Sequence, residues 1–413
     1  MEKAILIVLD TDTYTHSDYD LEELKNLTRA CYLKPVGIIR QKRKRPTANF
    51  YIGSGKIDDI KEAIETHGAD MLIFDDELSP SQLYNLEEAI DISIIDRTIL
   101  ILDIFARRAK TKEAKLQVEL AQSSYMLPRI IGLGESFSRQ KSGTGSKGPG
   151  EQKLELDRRI LRDNIAKLKK ELNDIVSTRR RQRKRRKTGM IKTVSLVGYT
   201  NAGKSTLMNA LLEKSDSFSG ETMRAKDMPF ATLETKTRQI THKDKRDFLV
   251  TDTVGFISRL PHHLIEAFKS TLEEITESSL IIHVIDVFDP EYERHTKIAE
   301  NILKEIGVKD IPILYVYNKM DKVKQKPTGA KNPHLFMSAL NKDRIDELMK
   351  MIDVLLFSEI HHVRMVLPFE EGDIYNHLRD NAVVKKTSYE NDGIHIDCEL
   401  DDVMYRRYKQ FIV

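Results

Sequence analysis

Cysteine is nearly absent: Cys31 and Cys398 are the only two in 413 residues. Two thiols cannot build a disulfide framework, and the same count excludes a Cys-rich metal site. Long hydrophobic runs are missing too, since no uninterrupted apolar stretch approaches the ~20 residues that cross a bilayer. The opening MEKAILIVLD puts an acid where the apolar core of a signal peptide would continue. A cytoplasmic location and no membrane-spanning segment are therefore expected. The adjacent pairs His262–His263 and His361–His362 lack further ligands at zinc spacing, and no repeat of solenoid period occurs. What remains is ordinary for folded protein. Hydrophobic residues make up 40% and charged residues 32%, which excludes wholesale disorder. The length suits roughly two to four domains, each with its own core.

The net charge of +3 conceals an asymmetry. Residues 105–190 hold 24 Lys/Arg against 9 Asp/Glu, a balance of +15, and the rest of the chain carries −12. Charge of one sign gathered in one segment points to a polyanionic partner.

Texture divides the chain into four parts. Residues 1–106 alternate short apolar runs (AILIVL, PVGIIR, ADMLIFDD, ISIID) with helix-like stretches at 21–28, 57–67 and 81–90. That alternation predicts a small α/β domain with mostly parallel strands. Residues 107–187 predict a helical hairpin: a helix over 110–126 ending near Pro128, a loop over 132–150 with six glycines, and a second helix from about residue 151. Leu161, Ile165, Leu168, Leu172 and Ile175 recur at spacings of four and three, one stripe of that helix. Residues 179–187, RRRQRKRRK, contain eight basic residues in nine. They read as an electrostatic RNA contact or as a solvated linker. Residues 190–358 are again α/β, with strands at KTVSLVG, DFLVTDT, LIIHVIDV and ILYVYNK. Residues 361–413 alternate in RMVLPF, AVVKKTSY and HIDCEL around a helix over 372–380, a small α+β module.

The chemistry is carried by the third part. Gly198-Tyr199-Thr200-Asn201-Ala202-Gly203-Lys204-Ser205 follows a strand and opens a helix with Thr206. This is the context a phosphate-binding loop requires: glycines admit close backbone approach, and amides at a helix start attract anions. Lys204 reaches the β- and γ-phosphates, and the Ser205 hydroxyl is a Mg²⁺ ligand. Asp252-Thr-Val-Gly255 follows the next strand, placing a carboxylate for Mg²⁺ and an amide for the γ-phosphate. Asn318-Lys319-Met-Asp321 specifies guanine, because a carboxylate accepts both N1–H and the N2 amine, a pair that adenine lacks. Ser338-Ala339 falls at the position of a base-contacting turn. Each motif alone is weak, but the four in order are a strong signal for a GTPase, and the series resembles the translation-factor-related class. In MPFATLETKTR, Thr232 is the choice for a switch hydroxyl on Mg²⁺, with Thr235 and Thr237 as local alternatives. Lys204, Thr232 and Gly255 are the expected catalytic set. Phe256 occupies the place where many small GTPases orient water with Gln, and a phenyl ring cannot do so. That leaves another polar group, a partner, or a slow intrinsic rate.

The sequence resembles the HflX family of ribosome-associated GTPases. The likeness rests on GTGSKGPGEQKLELDRRIL, VGYTNAGKSTL, PFATLETKTR, DTVGFISRLPHHLIEAFKSTLEE and YIGSGK, and is specific over residues 48–358. It implies GTP-dependent binding to the large ribosomal subunit and its RNA and the splitting of stalled ribosomes. It also implies that the hairpin loop is directed toward the peptidyl-transferase region. In some members it implies protection against antibiotics that act there. Lys147 stands where the family often has Arg, and the basic tract is denser than the family pattern. By analogy Asn201 would help hold K⁺, and the family's first domain has been associated with ATP, for which Gly53–Lys56 is a weak motif beside the plainer reading of a turn. A monomer without DNA or membrane partners is expected. Two other functions stay open: an ATP-coupled RNA remodeller centred on the first domain, and a GTP-regulated RNA-binding module without splitting activity.

Overall fold

The computed structural model describes residues 1–140, 149–188, 191–215, 230, 235–241, 247–259, 264, 272–357, 361–400 and 402–413. Among the described residues no helix is long and apolar enough to cross a membrane.

The first strands are β1 (Lys3–Asp10), β2 (Lys34–Lys42), β3 (Met71–Phe74) and β4 (Ser93–Asp96), and all pair in parallel in the order β2-β1-β3-β4. Helices α1 (Asp18–Ala30), α2 (Lys56–His67) and α3 (Pro80–Ala89) make the crossovers, and α4 (Arg97–Arg108) follows the last strand. The helix starts are chemically determined: Ser17 and Ser79 each close a capping box with the third helical residue, Asp20 and Gln82. β1 is buried almost throughout, as a central strand covered on both faces must be.

The hairpin differs from expectation at its first helix. α5 runs Lys112–Gln140, so Pro128 lies inside it and Gly132 and Gly134 are helical. A mid-helix proline forfeits one hydrogen bond, but the turn around it is pinned from outside. The Arg129 guanidinium donates to Asp96 at 2.6 Å and to the Leu78 carbonyl at 3.0 Å, and the Tyr125 hydroxyl also donates to Asp96. α6 (Pro149–Thr188) is 40 residues long, and the remainder of the predicted loop, residues 141–148, lies outside the described residues. The hairpin seam joins Leu116 and Leu120 of α5 to Leu168 and Leu172 of α6, with Ile165 and Ile175 at its edge. The basic tract is the last turns of α6 and not an extended linker.

The third part is a six-stranded sheet in the order β10-β9-β8-β5-β7-β6. Its strands are β5 (Lys192–Val197), β6 (Lys236–Ile240), β7 (Phe248–Asp252), β8 (Leu280–Asp286), β9 (Ile313–Asn318) and β10 (His334–Phe336), and only the β6–β7 pairing is antiparallel. Helices α7 (Lys204–Glu213), α8 (Tyr292–Glu305) and α9 (Ile345–Leu356) flank it. The chain closes with the antiparallel sheet β11-β13-β12, built from β11 (His361–Leu367), β12 (Val383–Glu390) and β13 (Gly393–Leu400), with α10 (Gly372–Asn381) and α11 (Asp402–Arg407).

One apolar core crosses between the first and third parts. Leu24, Leu27, Ile101 and Phe105 share it with Tyr199, Phe230, Phe256 and Ile257, and the Phe105 and Phe230 rings meet edge to face at 4.6 Å. This shared core packs the first sheet's helices directly against the residues that surround the phosphate loop.

Candidate functional site

The site lies at the carboxyl ends of β5, β7 and β9, where parallel sheets of this type bind ligands. β5 delivers the loop Gly198–Gly203 to the start of α7. Gly203 sits at φ +95°, and any β-carbon there would collide with the side-chain amide of Asn318. Asn201 is also left-handed, at φ +62°, and exposed.

Lys204 is buried, and its Nζ donates to the carbonyls of Gly198 at 3.0 Å and Tyr199 at 2.8 Å. Burial pushes this ammonium down to about 8, against the opposing pull of Asp252. A buried cation framed by loop carbonyls is a site for an anion, and phosphate oxygens would restore the charged form. The Ser205 Oγ donates to Asp252 Oδ2 at 2.7 Å, and Asp252 is fully buried at the end of β7. A hydroxyl and a carboxylate side by side are the hard oxygen donors that Mg²⁺ takes. A β-carbon on Gly255 would lie 3.0 Å from Lys204 Nζ and 2.9 Å from Thr200 Cγ2, so only glycine brings this amide so close to the loop. Thr206 follows in the first turn of α7, half-buried.

The base pocket is tied to the phosphate loop by one side chain. Asn318 donates from Nδ2 to the Ala202 carbonyl at 2.9 Å and accepts the Ala339 amide at 2.9 Å. Lys319, left-handed at φ +65°, pairs with Asp286 at 2.7 Å. Asp321 is exposed and accepts the Ser338 hydroxyl at 2.5 Å. The two motifs read separately in the sequence are thus brought together around a single amide.

Of the switch threonines, Thr232 lies outside the described residues. Thr237 is on β6, where its hydroxyl bonds Thr251 across the strands at 3.0 Å. Phe256 is buried in the apolar core, with no polar group to offer water. The Gly53–Lys56 segment is the turn into α2: the Gly53 amide donates to Gln41 at 2.9 Å and Lys56 pairs with Asp59 at 2.5 Å. His262 and His263 lie outside the described residues. His361 stacks on Tyr405 with centroids 4.0 Å apart.

Tyr199 departs from the sequence reading. Its ring turns away from the phosphate cradle and stacks on His295 at 3.9 Å, and its hydroxyl donates to Glu23 of α1. Ser258 and Arg259, directly after the DTVGF segment, also meet the first part of the chain: the Ser258 Oγ donates to Glu23 at 2.9 Å and Arg259 pairs with Asp75 and with Asp76 at 2.7 Å. These partners were missed in the sequence. One signal was available, since Asp75-Asp76 end a parallel strand on the side where sites form.

A strand–loop–helix turn around a buried lysine, with a Ser–Asp pair at the end of the neighbouring strand, is the architecture of a P-loop GTPase. Residues 18–106 match the family described as GTP-binding GTPase N-terminal, 108–186 the GTP-binding GTPase Middle Region, and 193–319 the 50S ribosome-binding GTPase. GTPase HflX of Caldanaerobacter subterraneus is 42% identical over 412 residues, covering 100% of this chain and 94% of that protein. GTPase HflX of Escherichia coli is 37% identical over 416 residues, covering 98% and 95%. The crystal structure of a GTP-binding protein from the archaeon Sulfolobus solfataricus in complex with GDP is 28% identical, covering 87% of this chain and 99% of that one, with a TM-score of 0.46. The chain belongs to the HflX family of GTPases.

Proposed function

We propose that this GTPase binds the large ribosomal subunit in its GTP form and splits or rescues stalled ribosomes. Its working parts would be residues 1–106, 107–187, 190–358 and 361–413. The observation that carries the reading is the long basic hairpin rooted beside a guanine-nucleotide site. The 40 residues of α6 extend about 60 Å at the helical rise, long enough to carry a loop deep into an RNA-lined cavity while the nucleotide stays at its base. The likeness to a 50S ribosome-binding family over residues 193–319 supports the choice of subunit.

In this reading the amides of residues 198–206 cradle the phosphates and Lys204 neutralises the β- and γ-oxygens. Ser205, Thr232 and Asp252 would hold Mg²⁺, which supplies charge neutralisation when bound. Gly255 offers its amide to the γ-phosphate. Asp321 accepts the guanine edge, while Asn318, Lys319, Ser338 and Ala339 shape the pocket. Phe256 contributes no proton or orientation to water, so turnover rests on how well the backbone is placed and on what the ribosome adds.

The test is sedimentation of intact ribosomes after adding the protein with a non-hydrolysable GTP analogue or with GDP. Conversion to subunits with the analogue alone is expected. Binding without dissociation would replace this reading with a GTP-regulated RNA-binding module. Chemical probing of the peptidyl-transferase region in the same samples tests whether the hairpin reaches the site where protective members of the family act.

A further inference from the structure

Outside the nucleotide cradle, a buried polar cluster lies in the seam between the first sheet and the GTPase part. Tyr199, Glu23, Arg97, Ser258 and Asp75 are all at most 7% exposed. The Tyr199 hydroxyl does two things at once: it accepts the Ser258 backbone N–H at 2.5 Å and donates to Glu23. Glu23 also receives the Ser258 hydroxyl at 2.9 Å and the Arg97 guanidinium. Arg97 bonds Asp75 at 2.7 Å and reaches the Ser258 carbonyl at 3.3 Å. Burial, with Glu23 alongside, pushes the Tyr199 phenol well above the ordinary tyrosine range, so it stays a donor.

The backbone on either side completes the connection. The Thr200 amide donates to the Phe256 carbonyl at 2.7 Å and the Phe256 amide to the Gly198 carbonyl at 3.0 Å. The segment that carries Gly255 is therefore held to the phosphate loop at two points, and the Tyr199–Ser258 bond is the third. Phe256 cannot orient water, so the rate of hydrolysis depends more on where this backbone sits. Misplacement on the order of 1 Å costs about a hundredfold in well-aligned reactions.

We propose that Tyr199 is a positioning residue for GTP hydrolysis, and that Glu23 of the first domain holds it in place. The first domain is then part of the hydrolytic unit, acting through one hydroxyl on the segment after Gly255. The proposal rests on the GTPase activity and is independent of ribosome splitting.

The experiment compares the full-length protein with Tyr199→Phe, Glu23→Gln and the double variant. Tyr199→Phe keeps the ring on His295 and removes only the hydroxyl, leaving the Ser258 N–H without its acceptor in a dry seam. A fall in kcat of about tenfold is expected as the segment shifts, with GDP affinity nearly unchanged and the thermal midpoint lowered by only a few degrees, the cost of one unsatisfied buried N–H. Glu23→Gln should lower kcat in the same direction, and the double variant should be no slower than the slower single one. Wild-type kcat in Tyr199→Phe overturns the proposal. A kcat loss accompanied by an equal loss of GDP affinity also overturns it, because that is a damaged loop and not a misplaced segment. Multiplicative losses in the double variant overturn the link to Glu23. Tyr199→Phe alone decides the first half should Glu23→Gln fail to fold. No turnover in the wild type would overturn the GTPase activity itself.

Discussion

At the scale of single residues, the sequence order of the phosphate loop, DTVG, NKMD and Ser-Ala motifs anticipated side chains that the fold brings together, Ser205 on Asp252 and Asn318 between Ala202 and Ala339. Asp321 is exposed and accepts the Ser338 hydroxyl, and in the proposed reading its carboxylate takes the guanine edge. Asp321→Asn presents a donor where guanine also donates, so GTP affinity should fall by about 10- to 100-fold while xanthosine triphosphate gains. Parallel titrations with the two nucleotides check this, and an unchanged preference would remove Asp321 from the base pocket. Tyr199 was not legible in the same way. Its partners Glu23 and Ser258 lie 176 and 59 residues distant, and no local pattern records a bond of that span. His283 is a second such case. It is buried in the middle of β8, and desolvation pushes its imidazole down to about 4. Because the folded pKa is depressed below that of the unfolded chain, the unfolded state binds the extra proton between pH 6.5 and 4. Stability is full above this window and is lost as pH falls through it. Urea unfolding of wild type and His283→Gln from pH 7 to pH 4.5 should show a shallower acid loss in the variant. Parallel curves would mean that His283 titrates normally.

At the scale of elements, periodicity revealed most strands of the first, parallel sheet and of the mainly parallel GTPase sheet, and the stripe of α6. It failed where tertiary contacts override local preference. Pro128 reads as a helix end, yet Tyr125 and Arg129 on either side of it are both tied to Asp96, and α5 continues to Gln140. α4 has the run TILILDIF, whose continuous apolarity hides its period, because both of its faces are covered by α1 and α5. β6 and β10 are five and three residues long, too short for alternation to register. The hairpin itself depends on a small seam. Leu168→Ala should cost about 2 kcal/mol there, at the low end for buried leucine because the cluster is small. Hydrogen exchange should rise in facing turns of α5 and α6, with GTP turnover unchanged. Exchange that stays at wild-type level along both helices would show that the seam does not hold the hairpin.

At the scale of the whole molecule, the charge map gains meaning from the fold. The basic tract closes α6, which ends at Thr188 shortly before β5 opens at Lys192, so along the chain it belongs to the GTPase end of the hairpin helix and not to the loop end. Eight cations on consecutive helical turns repel one another at i,i+3 and i,i+4 spacing, even though the helix C-terminus favours positive charge. A polyanion relieves that repulsion, and RNA phosphates do so without regard to base identity. Replacing Arg181, Lys184 and Arg185 with Gln should weaken binding to large subunits most at low salt. If each contacts one phosphate, the slope of log affinity against log salt should flatten by roughly 2 to 3. GTP turnover without RNA should hold, since none of the three belongs to the nucleotide site. The measurement is a titration against purified large subunits at several potassium concentrations. An unchanged slope would leave the tract as a solvated helix end and shift the RNA contact elsewhere on the hairpin.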